Sequence, residues 1–384
     1  MFSSRFHWDF RPNRLSQLLA DRQREGARIL DLTESNPTHA GLAYPSAILR
    51  AFDDARLLAY EPSPAGSPHA RAAVAQYYAA RGVAVEPERI LVTASTSEAY
   101  AYLFKLLANP GDHVLVPRPS YPLFEFLAGM ESIEVRPYTL AYHGAWSIDL
   151  DSIGKSARAI IVVNPNNPTG SYLKFHELDA LAARGIPLIS DEVFSDYAFA
   201  PDPARVTTLA ADDRRLSFSM SGLSKIAGLP QMKLGWIVVS GPPGLRAEAM
   251  EKLEWIADTY LSVGTPVQCA LEKLLVAGDE IQRQIRARTA ANLAFARETL
   301  AGSPATILNV EGGWYVVLQV PRVRSEEEWA LKLLEEEDVL VQPSFFYDFE
   351  SEAYLVVSLL TRSGLFEEGI ARLKKRLLAA DEHR

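Results

Sequence analysis

The sequence has few of the features that mark several large classes of protein. Its single cysteine, Cys269, among 384 residues excludes a disulfide bond within the chain and makes a cysteine-based metal site unexpected. Its longest apolar strands, such as Ala159–Val163, are far shorter than the ~20 residues that cross a bilayer. No dense basic run stands out, and 39 Lys and Arg against 48 Asp and Glu give a net charge of −9. We therefore expect no metal, no membrane and no nucleic-acid partner.

The N-terminal segment is charged and has no apolar stretch of the kind found in export signals, so we expect a cytoplasmic protein. With 48% apolar and 23% charged residues, the composition is that of an ordinary globular chain. Its length suits one large or two ordinary domains.

What the sequence does contain is a regular alternation of short apolar strands and amphipathic helices between Arg89 and Ser240. Strands such as Ile90–Val92 alternate there with helices such as Ser97–Ala108. This pattern predicts an α/β fold whose large, mostly parallel mixed sheet lies between layers of helices.

The last third of the chain shows a different order of elements. Three helical segments are predicted at Gly244–Asp258, Thr265–Ala277 and Asp279–Ala301, followed by strands and helices typical of a smaller α+β domain. We therefore predict a large domain over residues 45–280 and a small domain formed by residues 1–44 and 281–384.

Lys225 is the first candidate for chemistry. It closes the Ser/Gly-rich turn Ser219–Lys225, which follows a predicted strand, and apolar residues flank it. A lysine that is desolvated in such a turn loses its proton more easily and can then form a Schiff base. A surface lysine beside an ordinary turn would give the same local pattern.

Two upstream segments also place polar side chains where predicted strands end. They are Asn164–Gly170 and Ser190–Glu192, and ligands of open α/β sheets bind at such carboxyl ends. Alone, Asn164–Gly170 is better explained as a Pro/Gly/Asn loop and Ser190–Glu192 as a solvated strand end. The order is more informative, because Asp191 lies 24 residues after Asn167 and Lys225 lies 34 residues after Asp191.

With these residues in this order, the sequence resembles the fold-type I pyridoxal-phosphate enzymes, specifically the class I aminotransferase family, over nearly its whole length. The resemblance implies a pyridoxal 5'-phosphate cofactor joined to Lys225 as an internal aldimine, with Lys225 also moving the proton at the substrate Cα. It further implies that Asp191 keeps the pyridine nitrogen protonated, so that the ring acts as an electron sink, and that Asn167 donates to the phenolic oxygen. Tyr121 is similar to the aromatic residue that stacks on the ring, although simple core packing would also explain it.

The same resemblance implies a phosphate site. Backbone N–H groups and hydroxyls at a helix start are suited to a phosphate, but a plain N-cap is the alternative reading of this turn. The residues implied are Ser95, Thr96, Ser97, Ser224 and Lys233. Lys233 stands where the family usually has an arginine, and Ser224 or Ser221 would replace a serine often found where this chain has Gly222. Tyr60 resembles a tyrosine that reaches the phosphate of the neighbouring subunit, which implies a homodimer with shared active sites.

Two departures concern the reaction itself. Phe194 stands where the family commonly has a tyrosine that donates to the phenolic oxygen, so Tyr197 or water would have to replace that donor. Val356 aligns with the arginine that pairs with the substrate α-carboxylate, and Arg362 is the nearest replacement in sequence. A surface role for Arg362 is the alternative, as is a substrate without this carboxylate.

The expected substrates are an amino acid and a 2-oxo acid. Ser35 and Asn36 fall in a substrate-binding turn of the family, and Asn167 borders the same site. Four aromatic residues point weakly to neutral or aromatic amino donors, or form core: Trp314, Tyr315, Phe345 and Phe346. The same scaffold also carries out β-elimination such as carbon–sulfur cleavage, which is the alternative function. A regulatory protein on this fold would need a DNA-binding domain, for which the segment ahead of the fold is too short.

Overall fold

The structure is a computed structural model that describes residues 2–6, 8, 11–351 and 353–381. The helices are α1 (Arg14–Arg24), α2 (Ala47–Arg50), α3 (Pro68–Ala79), α4 (Thr96–Leu107), α5 (Leu123–Met130), α6 (Phe175–Ala182), α7 (Leu223–Ile226), α8 (Pro243–Asp258), α9 (Thr265–Leu300), α10 (Glu326–Glu337) and α11 (Ser363–Asp381).

The strands are β1 (Leu30–Asp31), β2 (Ile90–Thr93), β3 (His113–Arg118), β4 (Glu134–Tyr142), β5 (Trp146–Ile148), β6 (Ile160–Val163), β7 (Leu188–Asp191), β8 (Ser217–Gly222), β9 (Gly235–Ser240), β10 (Thr306–Ile307), β11 (Tyr315–Gln319), β12 (Val339–Leu340), β13 (Gln342–Pro343) and β14 (Tyr354–Ser358). They form an eight-stranded, a four-stranded and a two-stranded sheet.

The large sheet has the strand order β2-β9-β8-β7-β6-β3-β4-β5. Its central strands β8, β7, β6, β3 and β4 are parallel, while β9 and β5 run antiparallel to their neighbours. Because β2, β3, β6, β7 and β8 point the same way, the residues that follow them share one edge of the sheet. The predicted α/β fold with a mixed sheet is thus confirmed.

Helices cover both faces of the large sheet, because its strands are apolar on both sides. One core includes Leu115, Ile160 and Trp236 with residues of α3, α6 and α9. The other includes Ile161 and Met220 with residues of α4, α5 and α8. A third core holds β1, the four-stranded sheet, α10 and α11 together.

Helix α9 differs from its predicted form. It is one continuous helix, Thr265–Leu300, whereas the sequence pattern predicts a break at Gly278. A Cβ atom on Gly278 would lie 2.5 Å from the Cβ of Ala227, so this glycine serves close packing against the chain after α7 rather than ending a helix. The division into domains at residue 280 therefore falls inside α9, and it stays a prediction.

The four-stranded sheet is tied to the loop after β6 through two glycines. The carbonyl oxygen of Gly170 accepts the N–H groups of Glu311 (3.2 Å) and Gly312 (3.1 Å). Gly170 has a φ of +68°, and a Cβ atom there would lie 2.5 Å from the carbonyl oxygen of Gly312. Position 170 therefore requires glycine, because other residues rarely adopt this φ and any side chain would collide with Gly312. Within the described residues, no helix is both long and apolar enough to span a membrane.

Candidate active site

The candidate site lies at the edge of the large sheet where its parallel strands end. Asp191 is the last residue of β7, Asn164 follows β6, and the backbone N–H of Asn164 donates to the carbonyl oxygen of Asp191 (2.8 Å). Lys225 follows β8 as the third residue of the short helix α7. The structure thus brings the three predicted segments to one edge, as expected for carboxyl ends of parallel strands.

Lys225 lies among aromatic rings. Its Nζ is 4.9 Å from the ring centre of Trp314 and 5.6 Å from that of Phe194. Burial lowers the pKa of Lys225 to about 8, against a smaller opposing effect of the Asp191 charge. A substantial fraction of this amine is therefore uncharged at mildly alkaline pH, as a nucleophilic lysine requires.

Asp191 is a desolvated carboxyl group with few partners. Its Oδ2 accepts the Tyr100 hydroxyl (3.1 Å) and its Oδ1 accepts the backbone N–H of Val193 (3.3 Å). Burial raises the pKa of Asp191 to about 6, and these hydrogen bonds and the charge of Lys225 only partly offset it. A cationic partner would stabilise the carboxylate strongly. Tyr100 was not predicted from the sequence, although its place one turn into α4 put it near the same edge.

The two neighbouring asparagines Asn166 and Asn167 have different surroundings. The Asn166 Nδ2 donates to the carbonyl oxygen of Pro119 (3.1 Å) and to Thr169 Oγ1 (2.9 Å), and its Oδ1 accepts the Ser120 hydroxyl (2.9 Å). Asn166 therefore fixes the loop. Asn167 is buried, and its Oδ1 has no hydrogen-bond partner among the described residues. A buried amide without a partner indicates a ligand there, because an unpaired buried polar group is costly.

Ser95 begins α4 as its N-cap. Its hydroxyl accepts the backbone N–H of Glu98 (3.2 Å), while Glu98 Oε2 accepts the N–H of Ala94 (2.7 Å). Ser95 is therefore the N-cap of α4, which is one of the two interpretations of this turn. This cap is compatible with anion binding by the N–H groups at the start of the 12-residue helix, where Thr96 and Ser97 lie.

Gly222 is the last residue of β8, and Lys233 lies two residues before the start of β9. Lys233 is exposed and has a φ of +50° at the turn before β9. A Cβ atom on Gly222 would lie 2.8 Å from the carbonyl oxygen of Leu234 and 2.9 Å from the Cα of Gly235. The close approach of β8 and β9 thus explains why a serine is missing at position 222. Ser224, beside Lys225, is half-buried.

Tyrosine hydroxyls border the opening of the site. Tyr121 is 47% exposed, and burial together with the charge of Asp191 raises its pKa. Burial raises the pKa of the Tyr315 hydroxyl, and Ser35 and Tyr121 lie near it. Asn36 uses its Oδ1 to accept the N–H (3.0 Å) and hydroxyl (2.7 Å) of Thr38, which fixes the turn.

Tyr197 does not replace the hydroxyl that Phe194 lacks. Its Oη donates to the backbone carbonyl oxygen of Lys225 at 2.6 Å. The Phe194 ring packs edge-on against Trp314, with centres 5.2 Å apart. The interaction of Tyr197 with the lysine backbone was not predicted from the sequence.

The surroundings of Val356 bear on the missing arginine. Val356 is fully buried in β14, opposite Val317 and Gln342. Arg362 is exposed, packs over Gly41 and donates from Nη2 to the carbonyl oxygen of His39 (3.2 Å). The structure therefore gives Arg362 a backbone partner beside the turn that carries Ser35 and Asn36.

A second cation, Arg118, was not predicted from the sequence. It ends β3 and lines a cavity of about 510 Å³ together with Tyr121, Gln342 and Tyr347. Its Nε is buried without a hydrogen bond, and none of the ion pairs between described residues includes it. The exposed carboxylates of Glu125 and Asp348 line the rim of this cavity.

Tyr60 lies apart from these groups, on the surface of the chain. It is 77% exposed and borders a second cavity, of about 470 Å³, which Ser262, Gln268 and Cys269 also line. The side chain of Cys269 is a free thiol of intermediate exposure.

These surroundings fit pyridoxal phosphate. The amine of Lys225 matches an aldehyde carbon, the desolvated carboxyl of Asp191 matches a ring cation, and the NH₂ group of Asn167 matches a ring oxygen. The start of α4 suits the phosphate. The fit lacks one group, since Phe194 offers no hydroxyl.

Comparison with known proteins gives an independent result. The family model for aminotransferase class I and II matches residues 27–364. Human tyrosine aminotransferase is 28% identical over 332 residues, which cover 82% of this chain and 72% of that protein. Glutamate-pyruvate aminotransferase AlaA of Haemophilus influenzae is 27% identical over 382 residues, or 92% of each chain.

Solved structures show the same fold. An alanine aminotransferase from Pyrococcus furiosus superimposes with a TM-score of 0.88 at 22% identity, covering 99% of this chain and 100% of that one. An N-succinyldiaminopimelate aminotransferase from Mycobacterium tuberculosis gives a TM-score of 0.80 at 25% identity, covering 98% and 100%.

Proposed function

Because the chain belongs to the aminotransferase class I and II family and is a pyridoxal-phosphate-dependent aminotransferase, we propose that Lys225, Asp191 and Asn167 hold the cofactor in it. The observation that carries this assignment is that Lys225, whose pKa is lowered to about 8, and the desolvated carboxyl group of Asp191 lie at the same edge of the large sheet. When bound, pyridoxal phosphate supplies an electron sink for the bonds at the substrate Cα.

Each of these residues then has a separate proposed role in the reaction. The Nζ of Lys225 would accept the proton of the substrate Cα and donate it to the cofactor carbon, and a pKa near the working pH suits this role. The Asp191 carboxylate would hold the ring nitrogen protonated, and the Asn167 NH₂ group would donate to the ring oxygen. Tyr121 would pack against the ring of the bound cofactor, and Trp314 and Phe194 would keep water from the Lys225 amine.

We further propose that the start of α4, with Ser95, Thr96 and Ser97, binds the phosphate together with Ser224 and Lys233. Tyr60 would complete this site in a second copy of the chain, giving a homodimer with shared active sites. Large exposed apolar side chains support such an interface, since Leu58 is 93% and Trp255 72% exposed. A cytoplasmic location is part of the same proposal and rests on the scarcity of cysteine.

For the substrates, an amino acid and a 2-oxo acid, we propose binding by Ser35, Asn36, Asn167 and Arg362. Aromatic residues beside Lys225 support a neutral or aromatic amino donor. Val356 cannot bind a carboxylate, so a cation elsewhere is needed. Arg362 lies beside the Ser35–Asn36 turn, and the unpaired Arg118 is the second candidate.

A half-reaction tests the function and identifies the donor. The holoenzyme is mixed with single amino acids or with the matching amines, without an oxo acid, and the cofactor is identified by absorbance and mass spectrometry. Conversion to pyridoxamine phosphate is expected with amino acids. Retained pyridoxal phosphate with release of ammonia and an oxo acid would instead show β-elimination.

The carboxylate site is tested with Arg362→Ala and Arg118→Ala. Loss of the cation that binds the carboxylate should raise KM for the amino acid by about 10- to 100-fold, since a hydrogen bond to a charged group contributes about 1.5–3 kcal/mol. The affinity for pyridoxal phosphate should stay unchanged. An unaltered KM in both variants would contradict the assignment of either cation.

A further inference from the structure

We propose that Tyr197 is a positioning residue for Lys225, acting through the backbone of α7; this inference rests on the proposed role of Lys225. The Tyr197 hydroxyl donates to the carbonyl oxygen of Lys225 at 2.6 Å. The two residues are 28 positions apart in the sequence, so the bond ties the segment after β7 to the segment after β8.

Helix α7 needs such outside partners because it has only four residues, Leu223–Ile226. The last carbonyl groups of a helix have no partner within it. Here the Ile226 carbonyl oxygen accepts Gln282 Nε2 (2.9 Å), and the Gly228 carbonyl oxygen accepts the Tyr44 hydroxyl (2.8 Å). The carbonyl oxygen of Lys225 receives the Tyr197 hydroxyl and, more weakly, the N–H of Gly228 (3.2 Å).

Tyr197 is itself held rigidly. It is 2% exposed, and its ring packs edge-on against Trp314, with centres 5.2 Å apart. Trp314 and Phe194 are the rings that lie beside the Lys225 Nζ. Burial raises the pKa of Tyr197 well above its ordinary value, so the hydroxyl keeps its proton and remains a donor. Tyr197 thus fixes the backbone of Lys225 through its hydroxyl, and its ring supports Trp314, one of the rings beside the Lys225 amine.

Gln282 connects the same helix to the interior. Its Nε2 also donates to Asp196 Oδ2 (2.8 Å), and that carboxylate pairs with the Arg81 guanidinium (2.6 Å) and accepts the Tyr77 hydroxyl (3.1 Å). Asp196 precedes Tyr197 in the chain. Adjacent residues therefore hold α7 by two routes, one direct and one through α9.

Removal of the Tyr197 hydroxyl should loosen the end of α7. The carbonyl oxygen of Lys225 would then keep only nearby backbone N–H donors, among them that of Gly228 at 3.2 Å, and the Lys225 amine would gain access to water. Since burial is what lowers the pKa of this amine, hydration should return it toward the ordinary value for a lysine. The predicted defect is one of position and protonation, with the Tyr197 ring still in place.

The test compares Tyr197→Phe with a matched control, Tyr172→Phe. Tyr172 is equally buried, and its hydroxyl donates to the carbonyl oxygen of Ser195 (3.0 Å), which is not part of α7. Each variant loses one hydroxyl-to-carbonyl hydrogen bond. The cofactor-free proteins are labelled with acetic anhydride over a range of pH, and peptide mass spectrometry gives the apparent pKa of Lys225.

For Tyr197→Phe we expect the pKa of Lys225 to rise by about half a unit or more, and kcat of the holoenzyme to fall about tenfold at unchanged KM. Tyr172→Phe should change neither, although both variants should lose similar thermal stability. Equal Lys225 pKa and kcat values in the two variants would overturn the proposal. Protection of Lys225 from labelling by added pyridoxal phosphate checks the proposed function separately, because it does not depend on Tyr197.

Discussion

Replacing Glu192 by glutamine is expected to stabilise the protein at alkaline pH. Glu192 follows Asp191 but is 1% exposed. Its Oε2 accepts the Thr208 hydroxyl (2.6 Å) and its Oε1 accepts the N–H of Leu209 (2.9 Å). Burial raises the pKa of Glu192 from 4.5 to about 7, more than these hydrogen bonds lower it.

The direction in which pH changes the stability follows from the pKa of Glu192 in the folded and in the unfolded protein. Because the pKa of Glu192 is higher in the folded protein, the folded state binds the proton more tightly, and stability falls as the pH rises from about 4.5 through about 7. The difference corresponds to about 3 kcal/mol at most. For a chain of 384 residues with an unfolding entropy of about 0.8 kcal/mol/K, this equals about 4 °C in Tm.

Glutamine imitates the protonated carboxyl group, since its oxygen can accept from Leu209 while its NH₂ group donates to Thr208. We expect Glu192→Gln to raise the Tm of the cofactor-free protein by up to about 4 °C at about pH 8.5 and by about 2 °C, half as much, at about pH 5.5. Calorimetry at the two pH values measures this, and transaminase activity should persist.

Glu177 provides the matched control. It is also buried, but both of its oxygens accept backbone N–H groups, those of Ile148 (2.7 Å) and Lys174 (2.8 Å). An NH₂ group cannot accept a hydrogen bond, so Glu177→Gln should lower the Tm at both pH values. A Tm difference between Glu192→Gln and the wild type that is the same at both pH values would refute the reasoning.

Three further predictions concern the site. Lys225→Ala should abolish the cofactor absorbance band that borohydride bleaches in the wild type, and its retention would contradict the assignment of this lysine. The rate at which the cofactor-free protein takes up pyridoxal phosphate should increase with pH and level off above about 8, as Lys225 loses its proton; stopped-flow absorbance would follow it, and a rate independent of pH would argue against an amine nucleophile. Gly278→Val should lower stability by about 1–3 kcal/mol and weaken cofactor binding, since its Cβ atom would lie 2.5 Å from that of Ala227; denaturant unfolding and cofactor titration would show no change if α9 could shift freely.

The fold was largely predictable because its signals are local. Apolar strands bounded by turns, such as β6 and β7, can be identified from residue order, and polar residues at their ends indicated the sheet edge that carries Asp191. The predicted helix break at Gly278 was wrong because a glycine within a helical pattern often marks a helix end. Its role here depends instead on Ala227, against which it packs.

The site was predictable only where a motif marks it. Asn167, Asp191 and Lys225 lie in spaced motifs, but Tyr100, Arg118 and Tyr197 have no local sequence signal. Their roles arise from distant partners, for example the 91 residues that separate Tyr100 from Asp191. For Ser95 the sequence left two readings open, and the structure contains a capping bond that leaves room for both.

The contact between Gly170 and Gly312 has a consequence for how this sequence can evolve. A side chain at position 170 would meet the carbonyl oxygen of Gly312, and one at position 312 would meet the carbonyl oxygen of Tyr197. We therefore expect selection against a substitution at either position. Both positions should therefore remain glycine among descendants of this chain, because neither clash is relieved by changing the other residue. Drift at these positions is constrained by backbone geometry, even though neither glycine contributes a side chain to chemistry.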